Sequence, residues 1–118
     1  MVVQVWNRSA LQSLLDDYKN DLCIVDFFAK WSNPARQIVP SIQFFEKLHP
    51  NTHFIRVDID ECPDICREFK IDDTLPVFLA IKNSKVIDKL QSTAIDKIRK
   101  WISNYAGPEV NPPKTRYS

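Results

Sequence analysis

Apolar positions recur along this chain with two different periods, and the switches between them mark out the elements. Val2 to Val5 alternates apolar and polar and predicts a short strand. Ser9 with Gln12 three residues on has the form of a capping box, and Leu11, Leu14, Leu15 and Tyr18 follow at i, i+3, i+4 and i+7 as one helical stripe. Leu22 to Phe28 is an almost unbroken apolar run, the pattern of a central strand covered on both faces. Asn33 and Pro34 supply a cap and a first helical residue; Ile38, Ile42 and Phe45 carry that helix to about Leu48, with a bend expected at Pro40. His53 to Ile59 predicts a third strand and Pro63 to Phe69 a short helix.

Val77 to Ile81 and Val86 to Leu90 flank Lys82-Asn83-Ser84-Lys85, a hairpin in which Asn83 takes a positive φ. Thr93 and Asp96 read as a second capping box. Ile95, Ile98, Trp101, Ile102 and Tyr105 form the apolar face of the last helix, which Gly107 and Pro108 end. Helices between strands imply a parallel sheet with right-handed crossovers, and the hairpin adds an antiparallel edge. The class is α/β, a mixed five-stranded sheet flanked by four helices. Residues 1–107 make one domain, and 108–118, with Pro108, Pro112, Pro113, Lys114 and Arg116, an extended flexible tail.

A length of 118 residues allows one compact core and not two. The formal net charge of +1 and the scatter of basic residues argue against nucleic acid or a membrane surface as partner. No apolar stretch is long enough to span a bilayer, and no secretory segment is visible. Cys23, Cys62 and Cys66 are too few and odd in number for a disulfide framework, so a reducing, cytoplasmic compartment is expected.

The chemistry-bearing stretch is Trp31-Ser32-Asn33-Pro34-Ala35, between a strand and a helix start. Together with Val25-Asp26-Phe27-Phe28-Ala29 before it, Pro40, Val57-Asp58-Ile59-Asp60 and Thr74-Leu75-Pro76, it resembles the thioredoxin family from about Val2 to Tyr105. The resemblance implies the thioredoxin fold and a cis bond before Pro76. It implies that Ser32 and Ala35 occupy the places of the family's two redox cysteines, and that Asp26 matches an acid that helps the second cysteine lose its proton. The glycines usual near the hairpin and before the last helix are missing.

Thiol–disulfide exchange requires an attacking thiolate and a second, resolving thiol. Ser32 is far too weak an acid to ionise at a helix start, and Ala35 carries no reactive atom, so no catalytic residue is assigned. Ser32 as a serine nucleophile would need a base within reach. His49 and His53 follow the far end of a fifteen-residue helix, roughly 20 Å away. Asp26 lies in a run that should be buried, where an unpaired carboxylate is costly. It either pairs with Arg56 on the adjacent strand, binds a trapped water, or retains a proton-transfer role. Cys62 and Cys66, one helical turn apart at about 6 Å between Cα atoms, are candidate accessory thiols for a regulatory bridge. The plainer reading packs Cys66 inward, leaves Cys62 at the surface and makes Cys23 a core residue. Two ligands do not make a zinc site, and neither metal nor cofactor is expected.

By the same resemblance the fold keeps a groove. Thr74 and Leu75, beside Pro76, offer strand-like hydrogen bonds to an extended peptide, and Trp31, Asn33, Pro34 and Leu75 supply the surrounding contacts. The leading expectation is a redox-inactive, monomeric or weakly dimeric module that binds a protein or extended peptide. The alternative is a working disulfide reductase whose two cysteines were exchanged deliberately for Ser and Ala.

Overall fold

The computed structural model describes residues 2–112. In chain order the elements are β1 (Val3–Val5), α1 (Arg8–Asp17), β2 (Cys23–Phe28), α2 (Asn33–Gln37), α3 (Val39–Leu48), β3 (His53–Asp58), α4 (Pro63–Phe69), β4 (Val77–Lys82), β5 (Lys85–Gln91) and α5 (Ile95–Ala106). The strands form one sheet in the order β1-β3-β2-β4-β5. β1, β3 and β2 run parallel; β4 is antiparallel to β2, and β5 to β4. This is the thioredoxin fold expected from the sequence, with a difference in the second helix. The second expected helix is in two pieces, α2 and α3, joined at Ile38. Pro40 has no N–H to bond the carbonyl four residues back, so the ladder breaks there and a fresh helix begins.

Every residue of β2 is buried, as a strand between two others and between two layers must be. On one face Cys23, Val25 and Phe27 pack with Ile55, Val57 and Leu79 under Leu11 and Leu15 of α1 and Ile65 of α4. On the other, Ile24, Phe54, Phe78 and Ala80 meet Ile42 and Phe45 of α3 and Ile98, Trp101 and Ile102 of α5.

Three caps differ from expectation. Asn7, not Ser9, caps α1: its extended backbone lets Oδ1 accept the Ala10 N–H at 2.8 Å, while Gln12 donates to Asp16 instead of reaching back. Ser32, not Asn33, caps α2, which places Pro34 at the second helical residue. No Thr93–Asp96 box forms; Ala94 stands at the cap of α5 without a side-chain bond, and Ser92 Oγ accepts the Ala94 N–H at 3.1 Å. On α5 the apolar face is narrower than the pattern suggests, since Ile95 and Tyr105 are 39% and 40% exposed and Tyr105 donates to Asp88.

Residues 108–112 are attached to the domain: Glu109 takes both Nε and Nη2 of Arg99 at 2.6 and 2.8 Å, and the Val110 N–H bonds the Leu48 carbonyl at 2.9 Å. The expected free tail therefore does not begin at Pro108. Pro113, Lys114 and Arg116 lie outside the described residues.

Candidate functional site

The loop after β2 and the loop before β4 meet at one end of the sheet, where Ala29, Ala35, Cys62 and Leu75 belong to a single packed cluster. α2 starts at this end because Ser32 is extended and its Oγ accepts the Ala35 N–H at 3.3 Å. Ser32 is 6% exposed and Ala35 0%. The polar oxygen is thus committed to a helix amide and the methyl to the core. Nearer solvent, Asn33 and Pro34 are exposed, with the Asn33 amide oxygen accepting from Arg36.

Trp31 is 58% exposed, and its indole Nε1 donates to Asp60 Oδ2 at 2.9 Å. Asp60 is positioned by the end of β3: its own N–H bonds the carboxylate of Asp58, which is 2% exposed. No local pattern signals the Trp31–Asp60 bond, because 29 residues separate the partners. Only the crossover of β3 beside β2 brings them together.

Across from this loop the Leu75–Pro76 peptide is cis. Thr74 is exposed, but its N–H already bonds Asp72 Oδ1 at 2.8 Å, so that donor is not free for a peptide. Leu75 is 6% exposed: its side chain belongs to the packed core cluster and is not the apolar contact expected of it.

Asp26 is 2% exposed at the middle of β2, with Arg56 beside it on β3 and Phe78 on β4. Arg56 Nε donates to Asp26 Oδ2 at 2.9 Å, and the guanidinium carbon lies 3.9 Å from the centre of the Phe28 ring. The partner expected from adjacency on the sheet is therefore present. Burial raises the Asp26 carboxyl to about 6, against the opposing pull of Arg56 through its charge and its hydrogen bond.

The thiols lie the other way round from the expectation. Cys62 is 1% exposed, at the residue before α4, and Cys66 is half-buried with its sulfur 3.9 Å from the Ile59 carbonyl. Cys62, the residue ahead of α4, joins the same core cluster as Ile65 of that helix. Burial pushes both thiols up, and Asp64 and Asp58 add to it; Cys23 is pushed up to about 11, also chiefly by burial. All three are free. Both histidines have partners elsewhere: His53 bonds Asp21 and stacks on Tyr18, and His49 faces Ser103. Among the described residues no group of three or more His, Cys, Asp or Glu is placed to hold a metal, and no helix is long and apolar enough to cross a membrane.

Residues 2–104 match the family model described as Thioredoxin. Thioredoxin-2 of Pyricularia oryzae is 34% identical over 100 residues, covering 84% of this chain but only 58% of that relative's length. A thioredoxin H-type of Ricinus communis is 31% identical over 103 residues, covering 87% of this chain and 84% of the relative. The X-ray structure of Fasciola hepatica thioredoxin superposes with a TM-score of 0.83 at 30% identity, covering 89% of this chain and 99% of that one.

Proposed function

The chain belongs to the thioredoxin family, and from that premise we propose that it docks an extended segment of another protein beside Pro76 without passing electrons. The reading rests on one observation. At the first turn of α2, where the family resemblance sets the redox pair, Ser32 Oγ is tied to the Ala35 N–H and the Ala35 methyl is buried. Neither half of thiol–disulfide exchange is open to a capped hydroxyl and a methyl. The remaining thiols are poor replacements, because burial raises Cys23, Cys62 and Cys66 above the ordinary thiol value, and the thiolate is the nucleophile.

What the end of the sheet still offers is contact. Trp31 presents its ring with its edge held by Asp60, Pro34 and Asn33 stand on the α2 side, and Thr74 flanks Pro76. A peptide lying between them adds as a strand, with main-chain bonds to the segment before β4 and apolar contact to Trp31 and Pro34. The surface is small, so affinity through it alone is weak. Three free thiols, two of them buried, fit a reducing cytoplasm.

The purified chain, supplied with a dithiol reductant, is expected to give no catalytic reduction of a disulfide-bonded protein substrate; turnover above the uncatalysed rate overturns the reading. For the docking half, partner recovery by the intact chain is compared with Trp31→Ala. Equal recovery would mean that the groove is idle.

A second reading is favoured by how much of the redox frame persists, notably Asp26 raised to about 6 behind the loop. In it, the protein is a disulfide reductase whose two cysteines were exchanged deliberately. Cysteine codons at positions 32 and 35 of the gene would establish it.

A further inference from the structure

The two open edges of the sheet are built differently. β5, at one end, carries Lys85, Asp88 and Lys89, and a register shift at Ala80 and Ile81 disturbs its pairing with β4. Charges and bulges on an edge strand discourage the addition of a further strand. β1, at the other end, has neither. Residues 2–7 carry no charged side chain and no proline, and Val2, Val3 and Val5 are β-branched. Beside this edge Val3 is 40% and Trp6 58% exposed. Among the described residues β1 pairs on one side only, with β3, so alternate N–H and C=O groups on its other side face outward unpaired by a strand.

We propose that β1 is a self-association edge, pairing antiparallel with β1 of a second copy of this chain about a two-fold axis at Gln4. The inference is independent of whether the end of the sheet docks a peptide. Three observations select this occupant. An axis perpendicular to the sheet and centred on Gln4 sets Val2 against Trp6, Val3 against Val5 and Gln4 against Gln4 of the second copy, so apolar meets apolar, amide meets amide and no like charges face each other. The same operation about the middle of β5 would oppose Asp88 to Asp88, a carboxylate already taken by Trp101 and Tyr105. Val2 and Gln4 also line a cleft of about 200 Å³ with Val39, Ile42, Gln43 and Arg56. Strand alternation carries Trp6 to the face of Val2 and Gln4, so in this register the Trp6 of each copy comes to the mouth of the other's cleft, next to Val2. The exposed indole of Trp6 thereby buries area that folding of one chain leaves in water. β1 is short, and residues 2–6 are far fewer than the roughly 20–30 a side of a standard interface, so the dimer is weak and forms at high concentration.

Sedimentation equilibrium of the full-length chain at rising concentration, up to about 1 mM, reads the association. The wild type is expected to dimerise, and Trp6→Ala to weaken the dimer about tenfold or more. Gln4→Glu and Gln4→Lys each set like charges across the axis and should each weaken it by a similar factor. Mixed in equal amounts, the two Gln4 variants should associate at least as well as the wild type, because opposite charges then face each other. Ile87→Ser, on the β5 edge, should change nothing. In a mixture of isotope-labelled and unlabelled wild type, an intermolecular NOE between the Trp6 ring and the Val2 methyls is expected, a readout that decides the register even if a Gln4 variant fails to fold. A chain that stays monomeric throughout, a dimer indifferent to Trp6→Ala or lost with Ile87→Ser, or an associated sample without the Trp6–Val2 NOE would each overturn the proposal.

Discussion

Arg56 and Asp26 sit side by side on parallel strands, and the guanidinium Nε donates to the carboxylate Oδ2 at 2.9 Å. The pair is asymmetric. Arg56 retains 16% side-chain exposure and rests on the Phe28 ring, whereas Asp26 has 2% and is raised to about 6 by its burial despite the ion pair. A carboxyl whose folded value exceeds its unfolded value of 3.8 binds more protons folded than unfolded between about 4 and 6. Asp26 therefore makes stability fall as pH rises through that window, then level off. A two-unit difference corresponds to roughly 3 kcal/mol as an upper figure. His49, lowered by burial, acts in the opposite sense below 6.5. Its effect cancels when the wild type is compared with Asp26→Asn. Urea denaturation of both from pH 4 to 8 should show the variant gaining on the wild type as pH rises from 4 to 6, by about 1–3 kcal/mol. A difference that is constant with pH would mean Asp26 titrates normally.

Trp31 and Asp60 invite a more local test. With the indole half in water, the bond contributes little to global stability, about 0.5–1 kcal/mol. Its consequence is orientation of the exposed ring. Asp60→Ala should speed exchange of the Trp31 indole N–H with water while the Trp101 indole, held by Asp88 at 2.9 Å, stays as it was. Unchanged exchange at Trp31 would show that the ring is positioned by packing instead.

How far such relationships can be read from sequence depends on their range. The five strands were legible because β2 is apolar but for Asp26 and the hairpin is bounded by Asn83-Ser84. Asp26–Arg56 was legible too, since the strand order implied by the crossovers makes β2 and β3 neighbours. The caps were not. Ser32 and Asn33 are both good cap residues, and a proline preference for the first helical position pointed to Asn33; the backbone turned one residue earlier. Leu75 and Cys62 were misplaced for a different reason: each lies outside a regular element, where no period tells which way a side chain points. The Arg99–Glu109 clasp joins a helix to a segment that composition alone marks as tail.

The cap assignment predicts a hierarchy at one position. Ser32→Ala removes the acceptor for the Ala35 N–H at a buried site and should cost about 0.5–2 kcal/mol of stability. Ser32→Gly should cost only a few tenths, and Asn33→Ala still less, since its side chain reaches only Arg36 at the surface. Midpoints of urea unfolding rank the three. If Asn33→Ala proves the most damaging, the helix begins where the sequence pattern put it and not at Ser32.

The β4–β5 turn has both central residues in the left-handed region, Asn83 at φ 54° and Ser84 at φ 60°. Two-residue hairpin turns with positive φ at both positions match the twist of the flanking strands, and Asn-Gly is their preferred pair. Asn83 tolerates the conformation, and its N–H is tied to the Lys19 carbonyl at 2.9 Å. Ser84 is the strained member, because a Cβ in that region costs roughly 1 kcal/mol or more. Glycine relieves the strain and returns part of the gain to the more flexible unfolded chain. Ser84→Gly should therefore raise stability by about 0.5–1 kcal/mol, while Asn83→Ala should lower it by a similar amount. Equilibrium unfolding at constant m-value, with slower amide exchange along Val86 to Leu90 in Ser84→Gly, measures both effects. A destabilised Ser84→Gly would show that the serine side chain holds the turn by a contact worth more than its strain.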